Sequence, residues 1–304
     1  MKRQVIKKVL MLWILIFLTS CANALFYSND CQRYLEAGDY ERAIKMGKEA
    51  IDLYPRNIEP YICISSVYLK KGDPEKAIDI LKRAEKVAPS YEDLAVIYNR
   101  LGLIYHLKGD LNTALYYHEK HLKTSHELSD AKGETVAMFN MADIYQSMGD
   151  VQKALFYYRR SLEVSTDPTY TAFAYSNIAR IYIKEGKEKE ALESYLASYE
   201  QAKKTQDKKL IAISLVNVGD TYRRLRDFKN ASEYLIKGLE LAKREGDKKL
   251  QAYAYARLGL LYKDKGDIES ARIFFKRAYE IYVSLGDKDG MKQVQSEIKK
   301  LEKR

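Results

Sequence analysis

This sequence is short of almost everything that catalysis needs. Its 304 residues hold three cysteines, five prolines and one tryptophan. Three cysteines do not make a disulfide framework, and no pair of them has the spacing of a metal-binding knuckle. There is no glycine-rich phosphate loop and no nucleophile elbow. Acidic residues are plentiful, but they alternate with lysines along helical stretches, which describes a solvated surface and selects no catalytic pair. No pattern calls for a cofactor, and no basic block argues for nucleic acid. The longest apolar run, Val9 to Leu18, falls well below the ~20 residues of a membrane-spanning helix. No Gly-, Ser- or Pro-rich linker divides the chain.

The four histidines are the one cluster that resembles chemistry. His106, His118, His121 and His126 fall in a single stretch. His118 and His121 share a helix face, yet His118-Glu119-Lys120-His121 is one residue short of the zinc-protease spacing. Packing at the edge of a core is the plainer expectation; a metal-dependent hydrolase using the His106–His126 patch is the alternative. Tyr116-Tyr117 and Phe156-Tyr157-Tyr158 divide in the same way, one ring of each run belonging to a packing stripe and its neighbour to the surface.

What the sequence does have is a period. Gly38, Gly72, Gly109, Gly149, Gly186, Arg226 and Gly266 follow one another at separations of 34, 37, 40, 37, 40 and 40 residues. Four residues before each stands a tyrosine, from Tyr34 to Tyr262, and five residues after each stands an alanine, from Ala43 to Ala271. Apolar residues at helical spacing flank each of these positions, so each unit is a helical hairpin with the glycine in its turn. Small residues at Gly102, Ala142, Ala179, Gly219 and Gly259 let paired helices approach, and Pro55 and Pro89 stand where second helices must stop.

On these residues the chain resembles the tetratricopeptide repeat (TPR) family. The resemblance implies an all-α fold, a right-handed superhelical α-solenoid of about seven hairpins, working as a scaffold for partners and not as an enzyme. The repeats are expected at about 24–57, 58–91, 95–128, 135–165, 172–205, 212–245 and 252–285. A charged helix over 288–303, with Met291, Val294, Ile298 and Leu301 on one stripe, is expected to cap the open end. Residues 21–304 are then one solenoid. The longer spacing after residue 92 is similar to that of family members whose superhelix encloses a peptide.

The start of the chain is a different kind of segment. Lys2, Arg3, Lys7 and Lys8 lead into the apolar run, and Thr19-Ser20-Cys21 follows, which reads as a signal peptide over residues 1–20. Leu18-Thr19-Ser20-Cys21 is similar to the lipobox of bacterial lipoproteins, which implies acylation of Cys21 and a membrane attachment through the N-terminal lipid. Ala22 after that cysteine resembles lipoproteins sent to an outer membrane where one exists. A cut after Ala22-Asn23-Ala24 is the alternative and would free a soluble exported or periplasmic protein. Removing the leader's four bases takes the net charge from +10 to +6. The other two cysteines, Cys31 and Cys63, are expected as small buried thiols, although an oxidising envelope would permit a bridge.

The functional residues are expected on the face of each first helix opposite its packing stripe. One row of that face reads Asn29, Cys63, Arg100, Asn140, Asn177, Asn217 and Arg257. Asparagine is a poor helix former, so its return has a reason other than propensity. Its amide both donates and accepts, which suits holding the main chain of an extended peptide. Asn140, Asn177 and Asn217 are therefore the candidate peptide clamps, with Arg180, Arg224 and Arg257 selecting carboxylates. The competing expectation is that these charges pair with acids on adjacent helices. The expected role is an adaptor of the bacterial cell envelope that holds a segment of a partner protein during assembly of an envelope complex. Oligomeric state is left open.

Overall fold

The computed structural model describes residues 29–302, so the leader, Cys21 and the first residues of repeat one lie outside the described residues. Those described residues are helical throughout, with no strand, and no helix among them is long and apolar enough to cross a membrane. They divide between Asp150 and Val151 into two compact units. The first holds α1 (residues 29–36), α2 (Tyr40–Leu53), α3 (Glu59–Lys70), α4 (Pro74–Val87), α5 (Tyr91–Leu107), α6 (Leu111–Glu127) and α7 (Ala131–Met148). The second holds α8 (Val151–Val164), α9 (Pro168–Lys184), α10 (Glu188–Lys204), α11 (Lys208–Arg224), α12 (Phe228–Arg244), α13 (Lys248–Asp264), α14 (Ile268–Leu285) and α15 (Lys288–Glu302).

The hairpin turn is built the same way each time. All seven turn positions have a left-handed backbone, including Arg226 at φ +63°, where a side chain sits in the conformation that glycine adopts without strain. The next residue's amide then bonds back to the carbonyl of the tyrosine five residues earlier, as Asp39 does to Tyr34 and Asp267 to Tyr262. At Asp39, Asp73, Asp110, Asp227 and Asp267 that same residue caps the following helix, its carboxylate accepting from the amide three residues on. Asp207 and Asp247 likewise cap α11 and α13, so α10 and α12 stop just short of them.

Packing within each hairpin depends on missing side chains. The seven alanines five residues after the turns are all fully buried. Seven residues before a turn and nine after it, two side chains face each other and share one space. A Cβ on Gly102 would lie 2.5 Å from His118, one on Gly219 2.7 Å from Leu235, and one on Gly259 2.6 Å from Phe275. Where the first position is larger, at Cys31, the second shrinks to Gly47. Backbone approach is thereby fixed by size complementarity, the term that turns helical propensity into a defined interior.

The expected helix after the last hairpin is α15. Val294 and Leu301 are buried in it, and Met291 and Ile298 pack beside them against the apolar side of the preceding hairpin. Lys263 of α13 pairs with Glu297 at 2.5 Å, pinning the helix at mid-length.

One expectation is corrected. Cys31 of α1 and Cys63 of α3 are not separate thiols but a disulfide, with Cα atoms 6.3 Å apart. The repeat register brings this about, because the residue seven before one turn lies against the residue nine before the next. The bridge closes a separation of 32 residues and ties the first hairpin to the second.

Candidate functional site

The first helix of each pair presents its asparagine row half-buried, each amide partly engaged. Asn140 donates from Nδ2 to Oδ1 of Asn99 at 3.2 Å, joining α7 to α5 within the first unit. In the second unit Asn177 donates to the hydroxyl of the fully buried Tyr158 at 3.1 Å, and the Tyr253 hydroxyl donates to Oδ1 of Asn217 at 3.2 Å. Asn140 keeps its carbonyl oxygen and Asn217 its NH2 group uncommitted among the described residues. The amides of Asn140 and Asn217 are thus oriented by protein hydrogen bonds, with capacity left to grip a second chain.

The charged residues around the row behave differently from one another. Arg180 is exposed on α9. Arg224 is exposed on α11, its Nε 3.3 Å from Asp220. Arg257 is mostly covered, stacked 4.6 Å over the Tyr253 ring, with a terminal nitrogen 3.8 Å from Asp220. Arg223 donates to Asp220 at 2.8 Å and to Asp264. Asp220, only 8% exposed, is the hub of this network. Burial alone would push its carboxyl up, but Arg257 and Arg223 overcome that and hold it below the usual range. Arg224 and Arg257 both pair internally with Asp220, and Arg180 and Arg224 are exposed.

Two cavities of about 440 Å³ adjoin this network in the second unit. One lies between α13 and α15 and is lined by Tyr253, Arg257, Leu260, Lys292 and Glu297 among others. Its neighbour shares Tyr253, Tyr282 and Gln293 with it and adds Lys209, Asp247 and Asp287. Sequence reasoning missed Tyr253 here. It stands four residues before Arg257, one turn away on the same side of α13, and that spacing was the available signal.

The first unit carries a larger cavity of about 770 Å³ between α5 and α7, floored by His121 and Leu128. Val96, Leu103 and Val136 line it with Asn99, Arg100, Glu92, Asp130 and Lys132. Arg100 occupies the row position that Arg257 occupies in the last repeat. Its hydrogen bond runs to Oγ of Ser66 at 3.3 Å, and among the described residues it has no carboxylate at ion-pair distance. Burial lowers its pKa, and the charge of Glu59 only partly offsets that.

The histidines do not converge. His118 is fully buried under Gly102, in the slot that Tyr158, Tyr195 and Phe275 fill in other repeats, and neither of its ring nitrogens has a hydrogen-bond partner. Burial, with smaller effects from His121 and His106, lowers its pKa to about 3; burial lowers that of His121 to about 4. His126 pairs with Glu134 at 2.9 Å, and His106 meets the Ser147 hydroxyl at 3.5 Å. Among the described residues no group of three His, Cys, Asp or Glu side chains is placed to hold a metal ion. The aromatic runs divide as expected: Tyr117 and Tyr158 are buried, Tyr116 and Phe156 exposed.

Comparison with known proteins gives the fold a family. The chain is similar to the quorum sensor NprR from B. thuringiensis in its apo form, with TM-score 0.62 and 16% identity, covering 91% of this chain and 87% of that one. It is similar to BtubC (BKLC) from P. vanneervenii, with TM-score 0.61 and 20% identity, over 71% of this chain and 90% of that one. PilW, a widely conserved type IV pilus biogenesis factor, matches with TM-score 0.56 and 18% identity over 75% and 96%. No curated protein is matched by the sequence. The tetratricopeptide repeat pattern is matched at residues 58–125, 93–167, 133–204, 170–244 and 210–282. With the turns, alanines and facing small residues described above, those matches make the chain a member of the tetratricopeptide repeat family, which serves as protein-binding scaffold and not as catalyst.

Proposed function

We propose that this protein is an adaptor of the bacterial cell envelope, anchored through a lipid on Cys21, that holds an extended segment of a partner protein along the inner row of its first helices. The observation that carries the reading is the row itself. Asn140 and Asn217 are each fixed by one internal hydrogen bond, to Asn99 and Tyr253 respectively, residues that line cavities, and each is left with unspent capacity. Groups held in place before the ligand arrives lose less freedom on binding. The basic and apolar leader supports export, and the Cys31–Cys63 bridge supports an oxidising compartment. The likeness to a pilus biogenesis factor supports a place in envelope assembly.

The test is a cross-linking pull-down from solubilised envelopes, with wild type and the triple variant Asn140→Ala, Asn177→Ala, Asn217→Ala as bait. The partner recovered by wild type should be lost by the variant. Each substitution removes at least one internal hydrogen bond, so a stability cost of about 1 kcal/mol or more apiece is expected and is checked by thermal melting. Recovery of the same partner by a folded triple variant would remove the row from the binding surface. Detergent partitioning with mass spectrometry of the N-terminus tests the anchor; an unmodified chain beginning after Ala24 would make it a free exported protein.

A further inference from the structure

Resting on that reading, we infer that the cavity between α5 and α7 receives a carboxylate side chain of the bound segment on Arg100, flanked by apolar side chains of the same segment. The inference comes from a register comparison between repeats. Arg257 stands nine residues before its turn, and the residue it meets, Asp220, stands six before the preceding turn. Arg100 also stands nine before its turn, and the residue it meets, Ser66, again stands six before the preceding turn. The same two positions therefore hold an arginine with a carboxylate in one unit and an arginine with a hydroxyl in the other.

The hydroxyl does not neutralise the cation. Ser66 gives its proton to the Ile62 carbonyl at 2.9 Å, leaving a lone pair to accept from one of the five guanidinium donors. A half-buried guanidinium that lines a cavity, hydrogen-bonds only a neutral hydroxyl among the described residues and has Glu59 acting on it from beyond ion-pair distance is complementary to a carboxylate, which it binds through two parallel hydrogen bonds. The rest of the lining says what surrounds that carboxylate. Val96 and Leu103 lie on the same helix to either side of Arg100 and are each about two-fifths exposed, and Val136 faces from α7. The acids of the cavity, Glu92 and Asp130, lie toward the start of α5 and α7, Glu92 about 12 Å along the helix from Arg100. They are joined there by Lys132. At about 770 Å³ the space suits a stretch of peptide, and its apolar flanks favour one over a free organic acid.

The experiment pans phage-displayed random dodecapeptides on the full chain held in detergent, with Arg100→Gln and Ser66→Asp as parallel baits. Ser66→Asp supplies Arg100 with an internal carboxylate, as Asp220 does for Arg257, and so blocks the site without removing the arginine. Wild type should enrich peptides carrying Asp or Glu among apolar residues. An individual acidic peptide should weaken by about tenfold or more on Arg100→Gln, on Ser66→Asp, and when its own Glu becomes Gln. Thermal melts show which baits are folded, and Ser66→Asp should melt no lower than wild type. Peptides recovered without acidic preference, or with a preference unchanged in both variants, overturn this inference while leaving the proposed function intact. Recovery of no peptide at all overturns both. Displacement by succinate at the peptide's own concentration would make the site one for free carboxylates and overturn the peptide assignment.

Discussion

The two units use one set of repeat positions to opposite ends. In the second, Asp220 gathers Arg223, Arg224 and Arg257, and the inner surface is largely occupied with its own charge. In the first, Arg100 has its one hydrogen bond among the described residues to Ser66, His118 and His121 are buried and held neutral, and a disulfide joins the first two hairpins. The difference teaches that in this fold the scaffold and its chemistry are separable. Turns, facing alanines and small-residue contacts are the same in both units, and what an inner position does is decided by one partner residue a repeat away.

The comparison breaks most visibly at Asp220. Replacing it with Ser, the residue that Arg100 meets in the first unit, strips three arginines of their shared acid. A loss of about 3 kcal/mol is expected, because removing one member of a buried ionic group leaves the others uncompensated. Hydrogen exchange should place the loss in α11 and α13 and leave α3 and α5 unchanged; uniform loosening, or none, would show that Asp220 is not the hub.

Cutting the first unit's own fastening has an effect of similar or slightly smaller size. Cys63→Ser should cost roughly 2–4 kcal/mol, the range for a bridge of this loop length. A reducing agent should reproduce it in wild type and do nothing further to the variant. A chemical-denaturation midpoint that is the same with and without reductant would mean that the two sulfurs are not joined.

A third effect is graded by pH. His118 and His121 have folded-state pKa values of about 3 and about 4, below their ordinary value, so below about pH 6.5 the unfolded chain takes up protons that the folded chain refuses. Stability should therefore be intact at neutral pH and fall as the medium is acidified toward pH 4. The slope is up to about 1.4 kcal/mol per pH unit for each ring. His118→Phe, which copies the Phe275 and Gly259 contact onto Gly102, should remove one ring's share of that slope. An unchanged slope in denaturant melts between pH 7 and pH 5 would show that His118 is not buried neutral.

Much of the fold could be read directly from residues. Seven tyrosines and seven alanines at fixed offsets from a turn locate every hairpin, and Arg226 shows that the register, not the glycine, carries the information, since its backbone is left-handed all the same. The stripe of Met291, Val294, Ile298 and Leu301 located α15 for the same reason. The asparagine row was also visible. Its bonding to Asn99, Tyr158 and Tyr253 was not, because the reach of a hydroxyl or amide depends on rotamers that periodicity does not fix. Arg100 stood in the row from the start, but carboxylate selection was assigned to Arg180, Arg224 and Arg257. The cross-repeat offset that separates a satisfied arginine from an unsatisfied one emerges only when facing residues are paired off. A neighbouring offset, nine before one turn against seven before the preceding turn, would have joined Cys31 to Cys63.

The fully buried alanines have a consequence for how such a protein changes over time. Any larger residue at those places must push two helices apart, so mutation there is closed. The inner positions take no part in closing the hairpins, and a serine there can become an aspartate without disturbing a single turn. Ligand preference in a molecule of this design can therefore drift one side chain at a time while its architecture stands still, which makes it a ready source of new adaptors.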